Sequence, residues 1–309
     1  MIKRRSRLAP SPTGALHLGN TFAFLVNWAI AKQQNWELIF RLEDLDGPRK
    51  KIETMQQSID VLQWLGLDWD GDVLIQSEGL KSCKEARDVL ISQKLAYHCN
   101  LTRSQIDSVV SAPHQTEKSP ISSLRPIDIP AHNSNRGSCN STNWRFAASC
   151  SNVTVHDQLA GDSSFHTSTD FVIWTKNDSP SYQLAVVVDD HRQGVTDVIR
   201  GRDLLESAAW QEELYAAFGW EVPRWWHLPL IIGADGKRLA KRHGDSRLTT
   251  YRERNISPEQ IIGLISKWCN IQNDLQPMDL QTFCTNLDYT NLRSKTIEFT
   301  KEEERWLLN

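Results

Sequence analysis

No stretch of this sequence approaches the ~20 consecutive apolar residues that a membrane-crossing helix needs, so no membrane partner is expected. The N-terminus is basic, but "LAPSPTGALHLGN" breaks any apolar signal core, and export is not expected. The six cysteines, at 83, 99, 139, 150, 269 and 284, include no C-x-x-C pair. They read as free thiols in a reducing cytoplasm rather than as a disulfide framework. No internal repeat is visible. Excess positive charge is missing too. Lys and Arg number 35 against 38 Asp and Glu, for a net charge of −3, so global attraction to nucleic acid is not expected and local clusters would have to supply it.

What is present is ordinary for a globular chain: 309 residues, 39% hydrophobic and 24% charged, enough for one large domain or two modest ones. Twelve tryptophans are many, and they are expected in the core or half-buried. Two basic clusters stand out, "KRRSR" from Lys3 to Arg7 and "KRLAKRH" from Lys237 to His243.

"RRSRLAP" reads as a short strand ending at Pro10, and a helix is expected from about Leu18 to Gln33. "ELIFRLED", Glu37 to Asp44, reads as a strand with its acidic residues at the C-terminal end. Asp46 as cap and Pro48 in the first turn open the next helix, which runs to about Leu65 and ends at Gly66. That alternation points to a parallel α/β sheet. A further helix, "EGLKSCKEARDVLISQKL", precedes a Ser-, Pro- and Asn-rich excursion at about 109–143. "NWRFAA", "VTVHDQLAG" and "DFVIWT" read as short strands, and "YQLAVVVDDHRQG" as a buried strand ending in two aspartates. "IRGRDLLESAAWQEELYAAFGW" reads as a loop feeding an amphipathic helix, and "WWHLPLIIG" as an apolar strand before the basic loop. Residues 248–309 read as mainly helical, with Ser257 as a cap and Pro258 at the first helical position.

Two loops carry the chemical signal. "APSPTGALHLGN" places glycines, prolines and His17 directly before a helix. It is either a tight strand-to-helix connection or a loop shaped to bring backbone N–H groups and an imidazole to a phosphate. "KRLAKR" sets four cations between Gly236 and Gly244, either as a solvated loop or to neutralise a triphosphate.

Together the loops resemble the class I aminoacyl-tRNA synthetases, "HLGN" resembling their HIGH motif and "RLAKR" their KMSKS motif. "RLAPSPTGALHLGN", "FRLEDLDGPR", "GLDWDGD", "YQLAVVVDDHRQGVTDVIRGRDLL" and "HLPLIIGADGKRLAKRHGD" resemble the glutamyl branch, over about Arg7 to Arg247 without the excursion. Only residues 248–309 follow, fewer than that branch's helical anticodon-binding region needs. The chain therefore looks similar to the truncated paralogues, the glutamyl-queuosine tRNA(Asp) synthetases.

This resemblance implies a Rossmann-like parallel-sheet catalytic domain in an α/β chain, with an inserted mixed subdomain and a short, mainly helical C-terminal region. The expected divisions are 1–96, 97–170, 171–250 and 251–309. It implies ATP-dependent activation of glutamate to glutamyl-adenylate without tRNA. Glutamate then passes to the queuosine base of tRNA(Asp), in a cytoplasmic monomer. Arg7, Ser11, Glu43, Tyr182 and Arg200 match glutamate-binding positions: guanidiniums for carboxylates, Glu43 for the ammonium, and hydroxyls from Ser11 and Tyr182. His17 and Lys241 match the catalytic positions, and Pro12, Gly19, Asn20 and Arg238 join them in holding ATP, which brings Mg²⁺. Asp189 and Asp190 either point into the site or serve the fold. Arg, Lys and Trp residues between 205 and 254 are candidates for tRNA contact.

Three positions depart from the pattern. Asn20 stands at the second histidine of HIGH, and Ala240 at the serine of KMSKS. Leu101 stands where the family often has the second cysteine of a C-x-C zinc motif begun by Cys99. Cys139 or Cys150 could complete only an irregular site, so zinc is not expected. A minimal glutamyl-tRNA synthetase charging a terminal adenosine shares all these motifs. A non-catalytic tRNA- or nucleotide-binding paralogue is the reading of another class.

Overall fold

The apolar run of "ELIFRL" becomes the middle of a parallel sheet. The structure is a computed structural model describing residues 3–11, 16–45, 52–99, 142–149, 151–167, 169–233, 235–237, 239, 247–292 and 296–308. Strand β1 (Arg5–Leu8) leads through helix α1 (Leu18–Gln33) to strand β2 (Glu37–Leu42), which pairs with β1 in parallel. Leu38, Ile39, Phe40 and Leu42 are all buried, so β2 is covered on both faces, as a parallel strand flanked by helices must be. Helix α2 (Ile52–Trp64) then leads to β3 (Leu74–Ile75), parallel to β2. Asp46 and Pro48, expected to open α2, lie outside the described residues.

Among the described residues, helix α3 (Leu80–Ser92) is followed by six short strands: β4 (Ala96–Cys99), β5 (Asn143–Phe146), β6 (Asn152–Val155), β7 (Ser163–His166), β8 (Phe171–Thr175) and β9 (Ser179–Pro180). One antiparallel sheet has the order β4-β5-β8-β9, and β6 and β7 form a separate antiparallel pair.

The next segment corrects the sequence reading. "YQLAVVVDDHR" is helix α4 (Tyr182–Arg192), not a strand. Its Leu184 to Asp190 are all buried, and an apolar stretch buried all round has no strand or helix period to read. Conversely, "IRG", expected as the start of a loop, belongs to strand β10 (Asp197–Gly201). Helix α5 (Leu205–Phe218) and strand β11 (Arg224–Leu228) follow, β11 pairing in parallel with β10. Thr196 N donates to Arg5 O at 2.9 Å where β10 begins alongside β1. The three-stranded sheet β3-β2-β1 and the pair β10-β11 thus lie side by side, β10 next to β1, in a doubly wound Rossmann-like arrangement with its switch point between β1 and β10.

The chain then forms β12 (Ile231–Ile232), α6 (Leu248–Glu253), α7 (Pro258–Trp268), α8 (Leu280–Asn286), β13 (Ile297–Glu298) and α9 (Lys301–Leu308). β13 pairs in parallel with β12, and Trp268 packs edge-on against Phe22 of α1, ring centroids 6.3 Å apart. This C-terminal region thus shares the core of the first half-sheet. Ser257 and Gln260 form the capping box that opens α7. Gly263 sits inside that helix, where alanine ordinarily stabilises by about 1 kcal/mol. Here a Cβ would run into the backbone oxygen of Gln276. Gly263→Ala is therefore expected to destabilise by about 1–3 kcal/mol in a urea unfolding curve, the opposite sign to helix propensity.

The basic cluster "KRRSR" is not an open patch. Arg4 pairs with Asp197, Arg5 Nη2 lies 2.9 Å from Glu37, and Arg7 Nε lies 3.2 Å from Asp190. β1 lies between carboxylates carried by its neighbouring elements, and its arginines are used inside the fold. All twelve tryptophans are buried or half-buried. Among the described residues no helix is long and apolar enough to cross a membrane.

Candidate active site

Parallel strands present their C-terminal ends to ligands at the switch point, and a cavity of about 640 Å³ opens there. Arg7 enters from β1 and Ser11 from the loop after it, while Glu43 follows β2 directly. Tyr182 is the first residue of α4, and Arg200 comes from β10. All five line the cavity together with His17, Gly19 and Asn20. Glu43 N donates to Pro10 O at 3.0 Å, tying the two strand ends together.

Charge is concentrated here. Asp190 Oδ1, on α4, accepts from Arg7 Nε at 3.2 Å and from Arg41 Nη1 at 2.7 Å. Arg41 Nη2 also donates to Glu43 Oε1 at 3.0 Å. Burial opposes the charged form of Asp190, yet Arg41 and Arg7 outweigh it and hold its carboxyl below the usual range. At Glu43 burial dominates and raises the carboxyl's pKa, despite Arg41 and Arg7. Burial would likewise lower the pKa of the Arg41 guanidinium, but Asp190, Glu43 and Asp189 raise it. Three guanidiniums, Arg7, Arg41 and Arg200, thus face two carboxylates, Asp190 and Glu43, leaving one positive charge over. Asp190 does not line the cavity; it supports Arg7 from below. Asp189 turns elsewhere, accepting from Gln76 Nε2 at 2.8 Å and Arg192 Nε at 2.7 Å.

Arg200 is held on several sides. Its Nε donates to His227 Nε2 at 3.0 Å and its Nη2 to Leu204 O at 3.2 Å. The Tyr182 hydroxyl bonds to it, and its guanidinium lies 4.8 Å from the Trp225 ring centroid. Its Nη1 is buried without a hydrogen-bond partner. A guanidinium N–H left without an acceptor is costly in a buried site, and an anionic group close to it would offset that cost.

His17 has a double task. Its Nδ1 accepts from Gly19 N at 3.1 Å, capping α1, while its own backbone N donates to Asn20 Oδ1 at 3.4 Å. Gly19 allows this: a Cβ there would lie 3.2 Å from the imidazole Cε1 and Nδ1. With Nδ1 accepting, the neutral ring carries its proton on Nε2. The first signal loop is tied to the start of α6 at this point. Leu248 N donates to Leu16 O at 2.9 Å, His17 bridges to Arg247, and Leu239 lines the cavity. Pro12, Arg238, Ala240 and Lys241 lie outside the described residues, as do Leu101, Cys139 and Cys150. Cys99 is half-buried at the end of β4.

Sequence reasoning passed over Arg41, Asp157 and His227. Arg41 was hidden in an apolar strand and His227 in "WWHLPL"; a charged or imidazole group inside such a run is the signal, since burial demands a partner. Among the described residues no group of three or more His, Cys, Asp or Glu is placed to hold a metal.

Residues 3–306 match the family described as tRNA synthetases class I (E and Q), catalytic domain. A protein of Rhodopirellula baltica named Glutamyl-Q tRNA(Asp) synthetase is 41% identical over 281 residues, covering 84% of this chain and 83% of its own. A Glutamate–tRNA ligase of Azorhizobium caulinodans is 35% identical over 303 residues, covering 96% of this chain but 64% of its own length. A crystal structure of a glutamate tRNA ligase from Elizabethkingia meningosepticum, in complex with its amino acid, superposes with a TM-score of 0.82 at 25% identity, over 99% of this chain and 68% of that one.

Proposed function

Since the chain belongs to the class I tRNA synthetases of the glutamate and glutamine branch, and is a ligase-type enzyme using ATP, an amino acid and tRNA, we propose that it forms glutamyl-adenylate without tRNA and passes the glutamate to the queuosine base of tRNA(Asp). The observation that carries the choice of amino acid is the cavity itself. Its spare positive charge and the unpaired Arg200 Nη1 suit a ligand with two carboxylates and one ammonium. Arg7 and Arg200 take the carboxylates, Glu43 the ammonium, and Ser11 and Tyr182 supply hydroxyls. The glutamate α-carboxylate attacks the α-phosphorus of ATP and pyrophosphate leaves. His17 Nε2–H and Lys241 stabilise the charge that develops on the phosphates. A queuosine hydroxyl then attacks the carbonyl carbon of the mixed anhydride, the acyl–phosphate bond breaks and AMP leaves. The choice of acceptor is supported by the similarity to the relative named for glutamyl-Q tRNA(Asp), most of whose length this chain spans.

The test is ATP–pyrophosphate exchange with glutamate, glutamine or aspartate and no tRNA, followed by transfer to tRNA(Asp) with queuosine or plain guanosine at the wobble position. Exchange with glutamate alone and transfer only to the queuosine form are expected. A second reading, aminoacylation of a terminal adenosine, is favoured by the ligase similarity over 96% of the chain. Exchange that waits for tRNA, or equal charging of both tRNA forms, would support it instead.

The raised pKa of Glu43 makes a pH prediction. A protonated Glu43 has no charge to offer an ammonium, so glutamate affinity falls as pH drops through that pKa, above the carboxyl's ordinary 4.5. Calorimetric titration of glutamate between about pH 5 and 8 should show the fall in the native protein, and Glu43→Gln should bind weakly with a flat profile.

A further inference from the structure

The fixing of Arg200 reaches beyond the cavity into the inserted strands. His227, on β11, is 2% exposed, and its Nδ1 lies 2.6 Å from Asp157 Oδ2. Asp157 lies between β6 and β7 and is itself pinned: Leu159 N and Ala160 N donate to its Oδ1 at 2.9 and 2.7 Å, and His227 N to its Oδ2 at 3.0 Å. A carboxylate can only accept, so His227 Nδ1 carries a proton. Arg200 is always a donor, so the Nε2 it meets must accept, which makes the ring neutral with a lone pair on Nε2; burial, which lowers the His227 pKa, favours the same form. That lone pair takes the Arg200 Nε–H. The chain of bonds runs carboxylate, imidazole, guanidinium, and ends at the unpartnered Nη1.

We propose that Asp157 and His227 are positioning residues that set the reach of Arg200, and so select glutamate over aspartate. This rests on the reading that the cavity holds glutamate. A guanidinium held through Nε, Nη2 and its face cannot follow a carboxylate that retreats by one methylene, and a misplacement of about 1 Å can cost on the order of 100-fold. A guanidinium released from His227 can follow it. The imidazole touches no substrate in this scheme; it acts through Arg200.

Three proteins test this: the native chain, His227→Leu and His227→Gln. Calorimetry gives affinities for L-glutamate and L-aspartate, and pyrophosphate exchange gives the KM for ATP. His227→Leu is expected to weaken glutamate binding by roughly 10–100-fold, lower the glutamate-to-aspartate ratio about tenfold or more, and leave the ATP KM unchanged. His227→Gln, whose amide oxygen can accept from Arg200 Nε, is expected to recover most of the ratio. A folded His227→Leu with native glutamate affinity would overturn the proposal. So would a proportional loss for glutamate, aspartate and ATP, which is the mark of a general packing defect. If the leucine variant does not fold, Asp157→Asn takes its place, since it removes the charge that holds the Nδ1 proton. An unchanged ratio in that variant overturns the proposal equally. If the native chain binds no glutamate at all, the functional reading itself fails, and the role of His227 in selecting glutamate fails with it.

Discussion

Asp190→Asn is expected to destabilise the protein by about 3–5 kcal/mol, because it leaves buried guanidiniums without their counter-charge. Asp190 takes both Arg7 Nε and Arg41 Nη1 on one oxygen, and its side chain is 1% exposed. An asparagine keeps the shape and one acceptor but removes the charge, leaving Glu43 alone against three arginines. The pH dependence follows from the lowered pKa of Asp190. Its contribution is complete above its ordinary value of 3.8 and is lost as pH falls through the lower folded value. Urea unfolding of the native protein should therefore show an acid loss of stability that Asp190→Asn lacks, having lost that contribution at every pH. L-Glutamate, which carries one net negative charge, should raise the stability of both proteins through linkage, and proportionally more in the variant. Equal stability of the two proteins at neutral pH would mean that Arg7 and Arg41 do not depend on Asp190.

The same charge count shows why the site could be read only in part from the sequence. α1 and the start of α7 were legible because their signals are local: a Pro- and Gly-rich loop directly before an apolar run, and Ser257 directly before Pro258. Strand β2 was legible from its apolar run. α4 was not, because "LAVVV" is buried all round and offers neither period. The five residues assigned to glutamate came from motif resemblance, not from spacing, and they span Arg7 to Arg200 in the chain. That they share one cavity follows from the strand order, which sets β10 beside β1. The supporting residues were invisible for a related reason. Asp190 and Arg7 are 183 positions apart and His227 and Asp157 are 70 apart, so nothing in a local window pairs them.

His17 separates stability from catalysis, because its two ring nitrogens do different work. His17→Ala removes the acceptor for Gly19 N at the start of α1, a loss of about 1 kcal/mol. It also removes Nε2–H, whose contribution to a developing phosphate charge is on the order of 100- to 1000-fold in rate. His17→Asn restores a good cap, its amide oxygen reaching the same backbone N–H groups, but offers no donor where Nε2 stood. The expected results are an alanine variant that is slightly less stable and strongly impaired in glutamate-dependent pyrophosphate exchange, and an asparagine variant of near-native stability that is just as impaired. Urea unfolding and exchange kinetics on the same preparations check both. Near-native exchange by His17→Asn would show that the cap and the helix N-terminus stabilise the phosphates by themselves, with the imidazole there only to shape the turn. Equal impairment assigns the rate to Nε2. The Leu248-to-Leu16 hydrogen bond then gains a functional meaning, because it ties the start of α6 to the residue just before that donor.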